Sequence, residues 1–397
     1  MRDQCNAGNC WPAVSRHASL TLVLTLALSM PTAAIALADP LLDQSAAMSN
    51  RSTRSAMFSI ARAGERLVAA GERGQVIYSD DCAAHWRQAS VPVGVTLTAL
   101  QFVNERLGWA VGHGGVVLAT RDGGSTWERQ LDGRQVAQLA LQFAEKALKE
   151  ASSALESDTT LNDYRRLALR DAERLVKEGP DKPLFALHFW TPQRGMVVGA
   201  FGLALSTTDG GASWQWMAGR ISNPKGLHLY AIYARGDAAV IVGEQGLILR
   251  APTPDGLFSK VPSPYEGSFF GVMPTDPGND AELLLFGLRG NAFRGTGDGK
   301  SWVTVPTSGS SSLIAGVALA SQDVLMFDAN GQAQRWQQGI SKARPVATSP
   351  VATVHAAVTA CKGRVALAGA RGVAVVDINS LDGSAGEAGR GTDESLH

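Results

Sequence analysis

Gly108-Trp109-Ala110-Val111-Gly112-His113-Gly114-Gly115-Val116-Val117-Leu118-Ala119-Thr120-Arg121-Asp122-Gly123-Gly124-Ser125-Thr126-Trp127 reads as two short apolar strands joined by a glycine-paired turn, then a second turn that delivers a tryptophan. Runs this short, rich in Val and Trp and bounded by turn residues, are strands and not helices. Working outward, Leu97 to Val103 precedes the stretch and Trp127 to Gln130 closes it, which makes one four-stranded antiparallel meander.

The glycine turn recurs as Gly71-Glu72-Arg73-Gly74, Gly112-His113-Gly114-Gly115, Gly199-Ala200-Phe201-Gly202, Gly243-Glu244-Gln245-Gly246, Gly287-Leu288-Arg289-Gly290, Asp328-Ala329-Asn330-Gly331 and Gly369-Ala370-Arg371-Gly372. Their first residues are spaced by 41, 87, 44, 44, 41 and 41 positions, so one interval is doubled and the others have the length of a propeller blade. The expected fold is all-β: a seven-bladed β-propeller over residues 56–378. The doubled interval, 135–178, holds two stretches free of Gly and Pro, Gln135 to Glu156 and Leu161 to Lys177. Val136, Leu139, Phe143, Ala147, Ala151 and Leu155 recur at helical spacing, as do Leu161, Tyr164, Ala168, Ala172 and Leu175. They predict an α-helical hairpin inserted between blades 2 and 3, on the face that carries the glycine turns.

The second turn also repeats. Asp122, Gly124 and Trp127 correspond to Asp209, Gly211 and Trp214, more loosely to Asp81 and Trp86, and in shortened form to Asp298 and Trp302. The aspartate accepts hydrogen bonds from its own turn, the glycines take positive φ, and the tryptophan returns to the blade core. These aspartates fold hairpins and are not read as catalytic acids. The motif resembles the Asp-box, or BNR, repeat of sialidase-type propellers.

The pairing of the glycine turn with this box, best preserved from Gly108 to Trp127, resembles the photosystem II assembly and stability factor family of seven-bladed propellers. The resemblance runs from Phe58 to Asp377 and is strongest through the second and third repeats. It implies a lumenal or periplasmic scaffold that holds membrane-protein subunits during assembly and performs no catalysis. In a bacterium without photosynthesis it implies an exporter-associated factor.

The chain has 397 residues, zero formal net charge, 45% hydrophobic and 18% charged residues, without the basic bias of a nucleic-acid binder. Arg2, Arg16 and His17 precede an apolar run from Leu20 to Met30, and Ala36-Leu37-Ala38 offers a signal-peptidase site. Residues 1–38 are therefore read as a signal peptide cleaved after Ala38, and the mature protein as periplasmic. Cys5 and Cys10 leave with it. Cys82 in the first repeat and Cys361 in the last remain, and a closed ring brings their blades together; a disulfide and two separate half-buried thiols are both open readings. The seventh repeat lacks a fourth strand, which residues 39–55 are expected to supply, and 379–397 reads as a disordered tail.

Arg73, His113, Arg289 and Arg371 project from glycine turns on the face of the helical arm, and Arg166, Arg170 and Arg174 form a stripe along the second helix. Together they are the candidate surface for acidic segments of a membrane-protein or envelope partner, and the stripe also reads as a plain solvated face. Peripheral membrane association through the partner is expected, with a monomer when alone. No metal, cofactor or catalytic residue is assigned. His85, His113, His188, His228 and His355 lack paired ligand spacing. A sialidase-like glycoside hydrolase is the alternative, but its nearest signature, Arg220-Ile221-Ser222, lacks the proline, and Tyr230, Tyr233 and Tyr265 have no glutamate partner recognisable by sequence and suit strand or turn packing. A permanent structural subunit of an envelope complex is the third reading.

Overall fold

The computed structural model describes residues 41–153, 159–277, 279–296, 298–299, 301–319, 323–346, 352–361 and 363–378. The expected leader at 1–38 and tail at 379–397 lie outside the described residues. Among the described residues there are seven antiparallel sheets, each running from its first strand to its last in chain order. The first strands are Met57–Ala63, Leu97–Phe102, Leu184–Phe189, Leu229–Arg235, Phe269–Asp276, Leu313–Ala318 and Val354–Thr359. Each packs against the next, and the seventh packs against the first, so the sheets are blades of a closed ring with these strands innermost.

Burial explains why the repeat is so apolar. The second strands of blades 2 and 3, Gly108–Gly112 and Gly195–Gly199, are buried at every position, because each is sandwiched between neighbouring blades. A strand covered on both faces needs a continuous apolar run instead of alternation. Val68 and Ala70 of blade 1 thus share a core with Leu97, Leu100 and Trp127 of blade 2, and Met57, Ile60 and Leu67 share one with Ala366 and Ala368 of blade 7. Burying each large aliphatic side chain in these seams contributes about 1.5–3 kcal/mol.

The first glycine of the turn is required by space and not by conformation. At Gly71, Gly112, Gly199, Gly243 and Gly287 an added Cβ would run into a backbone carbonyl: that of Ala56, Thr96, Pro183, His228 or Ser268, each just ahead of an innermost strand. That same carbonyl accepts the next N–H of the turn, for example His113 N to Thr96 O at 2.8 Å and Glu244 N to His228 O at 3.1 Å. The turn and the start of the inner strand are therefore locked together on one face.

The inserted hairpin consists of α1 (Gly133–Ser153) and α2 (Thr159–Glu178). Helix α1 starts before Gln135 because Asp132 caps it: its Oδ1 accepts the Arg134 N–H at 2.9 Å, while Gln135 Oε1 accepts the Asp132 N–H at 3.0 Å, a capping box. Gly179, at φ +84°, ends α2 and returns the chain beside Gly133 through Pro180. Small residues Ala140, Ala144 and Ala172 form the seam between the helices, and Trp216 of blade 3 packs on it. The stripe expected along α2 is only partly correct. Ala172 and Leu175 turn inward with Leu169, whereas Leu161 is 40% and Tyr164 64% exposed, because the narrow alanine seam sets the rotation of the helix. Among the described residues no helix is long and apolar enough to cross a membrane.

The ring-closing strand expected from 39–55 is not formed by its described residues, 41–55, and blade 7 has three strands among the described residues. The segment is drawn elsewhere. Leu42 is fully buried in the core between blades 1 and 2, Ala46 N–H donates to Val91 O at 2.9 Å, and Gly94 N–H donates to Leu41 O at 2.7 Å. Only the turn Ser52–Arg54 reaches blade 7, where the Thr53 carbonyl lies against Gly372. At the same seam Cys82 and Cys361 are joined by a disulfide with Cα atoms 5.9 Å apart.

The aspartate turns lie at the other end of the blades. Asp122 Oδ1 accepts the N–H groups of Ser125 and Thr126 at 3.0 and 2.9 Å, and Thr120 Oγ1 accepts that of Gly124 at 2.9 Å. Asp209, Thr207, Ser213 and Gly211 repeat the pattern, with Trp127 and Trp214 buried behind. In blade 1 Asp81 accepts the His85 N–H at 2.8 Å, Trp86 is half-buried, and Cys82 and Ala83 hold the positive φ that Gly123 and Gly124 hold in blade 2. In blade 5 the Asp298 carboxylate accepts from Thr296 Oγ1, and Trp302 packs in the core with blade 4. Neighbouring blades grip these turns: Arg66 of blade 1 reaches the carbonyls of Asp122 and Gly123, and Gln130 of blade 2 donates to Gly210 O.

Candidate partner-binding face

The face opposite the aspartate turns is built from the glycine turns, the starts of the inner strands and the helical arm. Four of the turns place a residue other than glycine in the left-handed region: Arg73 (φ +53°), Phe201 (+55°), Gln245 (+50°) and Arg289 (+58°). Blade 2 places Gly114 at the same position, which shows that the turn itself is content with glycine. Holding a β-carbon-bearing side chain there costs roughly 1–2 kcal/mol. Arg73, His113, Arg289 and Arg371 are all exposed on this face. Arg371, Arg73 and His113 come from three consecutive blades, 7, 1 and 2, while Arg289 stands in blade 5, so the ring spreads the four around the face and does not gather them at a point.

Beside each turn the inner strand has a bulge. The pairing skips one residue between Met57 and Ser59, Leu97 and Ala99, Leu184 and Ala186, Leu229 and Ala231, Phe269 and Gly271, Leu313 and Ala315, and Val354 and Ala356. A bulge re-aims the extra side chain out of the regular pleat. The skipped residue is Phe58, Phe185, Tyr230, Phe270 or His355 in five blades, and Thr98 and Ile314 in blades 2 and 6; all are half-buried. They stand at the glycine-turn end of the innermost strands. Tyr230 touches Phe185 (ring centroids 5.5 Å apart) and Phe270 (5.4 Å), joining blades 3, 4 and 5, and His355 stacks on Phe58 at 4.7 Å across the closing seam. His228 extends the cluster outward to Phe201 at 4.8 Å, and Phe201 is 60% exposed. Position two of the inner strand carries this signal in the sequence in four blades, as Met57-Phe58, Leu184-Phe185, Leu229-Tyr230 and Phe269-Phe270, but strand patterning alone does not show that these rings meet.

The arm stands on the same face, its first turn packed on His113–Gly115. Its base is an ionic cluster. Arg134 pairs with Asp132 at 2.7 Å and Asp43 at 2.9 Å, and Arg129 reaches Asp43 at 3.3 Å. The Arg134 hydrogen bond holds the Asp43 carboxyl at a pKa of about 2. Burial opposes ionisation of Asp132, but the hydrogen bond and charge of Arg134 together with the Arg134 and Gln135 N–H groups outweigh it, and its pKa lies below the usual range. Arg134 is shifted upward by both carboxylates. The arginine stripe on α2 is exposed and partly neutralised within the helix: Arg166 pairs with Asp163 at 3.2 Å and Arg174 with Asp171 at 3.0 Å. Arg170 is likewise exposed. Such i,i+3 pairs are the mark of a solvated helix face.

The residues considered for hydrolysis serve the blades. Arg220 donates to Ser206 Oγ at 2.6 Å and lies 3.8 Å from Asp255, which also pairs with Arg194 at 3.2 Å. Tyr265 stacks on Phe293, and its hydroxyl donates to Leu288 O at 3.4 Å. Tyr230 is raised in pKa by burial and by the neighbouring Glu244 carboxylate, and burial raises Tyr233 as well. His188, inside the ring, is lowered to about 4 by burial.

The family model described as photosynthesis system II assembly factor YCF48 matches residues 78–151, from the third strand of blade 1 through blade 2 into α1. No curated protein matches the chain. Among solved structures, "YCF48 bound to D1 peptide" is 12% identical, with 81% of this chain and 93% of that one covered at a TM-score of 0.56. YCF48 from Cyanidioschyzon merolae is 13% identical, with 84% and 97% covered at a TM-score of 0.57. The WD40 β-propeller domain of Doa1 is 9% identical, with 84% and 95% covered at a TM-score of 0.56. At these identities the likeness is one of fold, and it extends to a propeller of another kind. Residues 78–151 thus resemble the YCF48 repeat, and the chain as a whole shares the β-propeller fold of these structures.

Proposed function

We propose that the chain is an exported, non-catalytic scaffold that binds a membrane-protein partner through the face bearing the helical arm and assists its assembly or stability. Residues 1–38 direct export to the periplasm, where cleavage after Ala38 releases a protein that is monomeric alone and meets the membrane through its partner. In a photosynthetic organism the partner is a photosystem subunit, and in another bacterium an envelope complex such as an exporter. The observation that carries this reading is the similarity to a propeller described as bound to a D1 peptide, together with the four exposed basic turn residues and the arm on one face. Guanidinium groups spread around a ring suit an extended segment with several carboxylates better than one small anion.

Affinity capture from solubilised membranes tests it. The full chain is expected to recover a membrane protein, and a variant lacking 135–178 to lose it. The ends left by the deletion can be rejoined, since Gly133 and Pro180 already touch at the base of the hairpin, and an unchanged far-UV spectrum checks that the ring survives the loss of Val136 from the core of blades 2 and 3. Charge reversal of Arg73, Arg289 and Arg371 is expected to reduce recovery at least tenfold, and unchanged recovery removes the basic turns from the interface. Stoichiometric, wash-resistant recovery indicates a permanent subunit instead, and turnover of a fluorogenic sialoside indicates a hydrolase.

A further inference from the structure

Where blades 2 and 3 place Gly123 and Gly210 in the aspartate turn, blade 1 places Cys82, at φ +60°. A cysteine kept in the left-handed region, where the sibling turns use glycine, points to use. Cys82 is half-buried and its neighbours Asp81, Ala84 and His85 are exposed, so the turn is open to a reagent in solution. Across the seam, Cys361 begins the turn that joins Val354–Thr359 to Arg364–Gly369, and it too is half-buried. The Ala360 N–H donates to Arg364 O at 2.7 Å and the Arg364 N–H to Cys361 O at 3.3 Å. That turn brings the Arg364 guanidinium back onto the cysteine, Nη2 donating to Cys361 Sγ at 3.4 Å. The acidic groups nearby have partners of their own, since Asp80 pairs with Arg66 at 2.6 Å and Asp81 with His85 at 2.7 Å, while Asp377 stands opposite Arg364 in the strand register. Among the described residues a guanidinium touches the sulfur of Cys361 and none touches that of Cys82, so the two ends of the bridge are chemically unequal.

We propose that Cys82–Cys361 is a thiol–disulfide exchange site, opened by a dithiol reductant that attacks Cys82, and thereby a redox latch on the closure of the ring. The attacking thiolate bonds to Cys82 Sγ, the sulfur–sulfur bond breaks, and its electron pair leaves on Cys361 Sγ, where Arg364 stabilises the thiolate. Exchange runs faster when the departing sulfur is the more stable thiolate, which selects Cys82 as the sulfur attacked. The second thiol of the reductant, deprotonated by solvent, then attacks the reductant's own sulfur in the mixed disulfide and releases Cys82. The reductant ends as a disulfide, having given two electrons to the bridge; one of its two protons finishes on Cys82 and the other in solvent while Cys361 stays a thiolate. With the latch open, blade 7, three-stranded among the described residues, is held to blade 1 by noncovalent contacts: Met57, Ile60 and Leu67 against Ala366 and Ala368, and the His355–Phe58 stack.

The test treats the folded full chain with glutathione near neutral pH, quenches with acid, alkylates the free thiols and locates both labels by peptide-resolved mass spectrometry. Glutathione is expected on Cys82, with Cys361 free, in about threefold or greater excess over the reverse product, and Arg364→Gln is expected to bring the two within about twofold. Equal products from the unmodified chain, or glutathione mainly on Cys361, overturn the assignment, and this measurement stands even where a variant fails to fold. In Cys82→Ser, alkylation of Cys361 by iodoacetamide is expected to reach half its maximal rate about one pH unit or more below the ordinary thiol value of about 8.5, and adding Arg364→Gln to restore that value. An ordinary profile with Arg364 in place overturns its role. Reduction of the full chain by dithiothreitol is expected to speed hydrogen exchange in Arg364–Gly369 about tenfold or more, and reoxidation to reverse it. Unchanged exchange overturns the latch, and a bridge that resists both reagents in the folded chain overturns the exchange site.

Discussion

Cys82 and Cys361 are separated by 279 residues of chain, yet their Cα atoms lie 5.9 Å apart and a disulfide joins them. The bridge runs from the aspartate turn of blade 1 to the turn between the first two strands of blade 7, across the seam where a ring either closes or opens. Blade 7 borrows no strand from the beginning of the described chain, so this covalent tie adds to the apolar packing of Met57, Ile60, Ala366 and Ala368.

Removing the bridge is therefore expected to loosen the closure. Chain-entropy reasoning for so long a loop gives an upper figure of about 5 kcal/mol. Cys82→Ser with Cys361→Ser, or reduction of the native chain, should lower Tm by several degrees in calorimetry and expose the amides of Val354–Thr359 to exchange. An unchanged Tm would mean that the apolar seam and the His355–Phe58 stack hold the ring unaided.

The acid response of the aspartate turns follows from their geometry. Ser213 donates to Asp209 through both hydroxyl and backbone, which lowers the Asp209 pKa from 3.8 to about 2. A carboxylate lowered on folding stabilises fully above its unfolded pKa, and that contribution disappears as pH falls through the folded value. Asp209→Asn is expected to cost about 1 kcal/mol near neutrality, after allowance for solvent screening. The gap between the variant and the parent should narrow from pH 4 to about 2 in urea melts. A constant gap down to the lowest pH would assign the role to neutral hydrogen bonding.

Glycines that look equivalent in the turn should respond differently to substitution. Gly243 has an extended backbone (φ −162°) but no room, since its Cβ would strike the His228 carbonyl. Gly243→Ala is expected to destabilise by about 1–3 kcal/mol through displacement of the inner strand. Gln245, two residues on at φ +50°, has the opposite problem, and Gln245→Gly should leave stability within about 1 kcal/mol of the parent or raise it. Equilibrium urea unfolding distinguishes the two, and a harmless Gly243→Ala would refute the steric account.

Asp132 serves both the arm and the N-terminal segment, by capping α1 and by holding Arg134, which in turn holds Asp43. Asp132→Ala should cost at least about 1 kcal/mol as a lost cap. It should also speed hydrogen exchange in two places at once, the first turns of α1 and Leu41 to Ala46. Acceleration confined to α1 would show that Asp43 and Arg129 anchor the segment without it.

What could be read from the residues themselves was whatever short-range chemistry imposes. The glycine turns, the aspartate boxes and the helical spacing after Gln135 act within a few residues, and they placed the blades and the hairpin correctly. The cap at Asp132 was overlooked because Gly133 at the start of α1 reads as a breaker. Contacts between segments distant in the chain decided the rest. Residues 41–55 were drawn to the first two blades by Leu42 and Asp43 instead of pairing with blade 7, and Tyr164 was turned outward by the alanine seam. The aromatic cluster arises because a bulge recurs in every inner strand and the ring sets neighbouring bulges side by side. A periodic pattern along a single chain records which residues are alike, but the proximity of Phe185, Tyr230 and Phe270 exists only once the blades have closed.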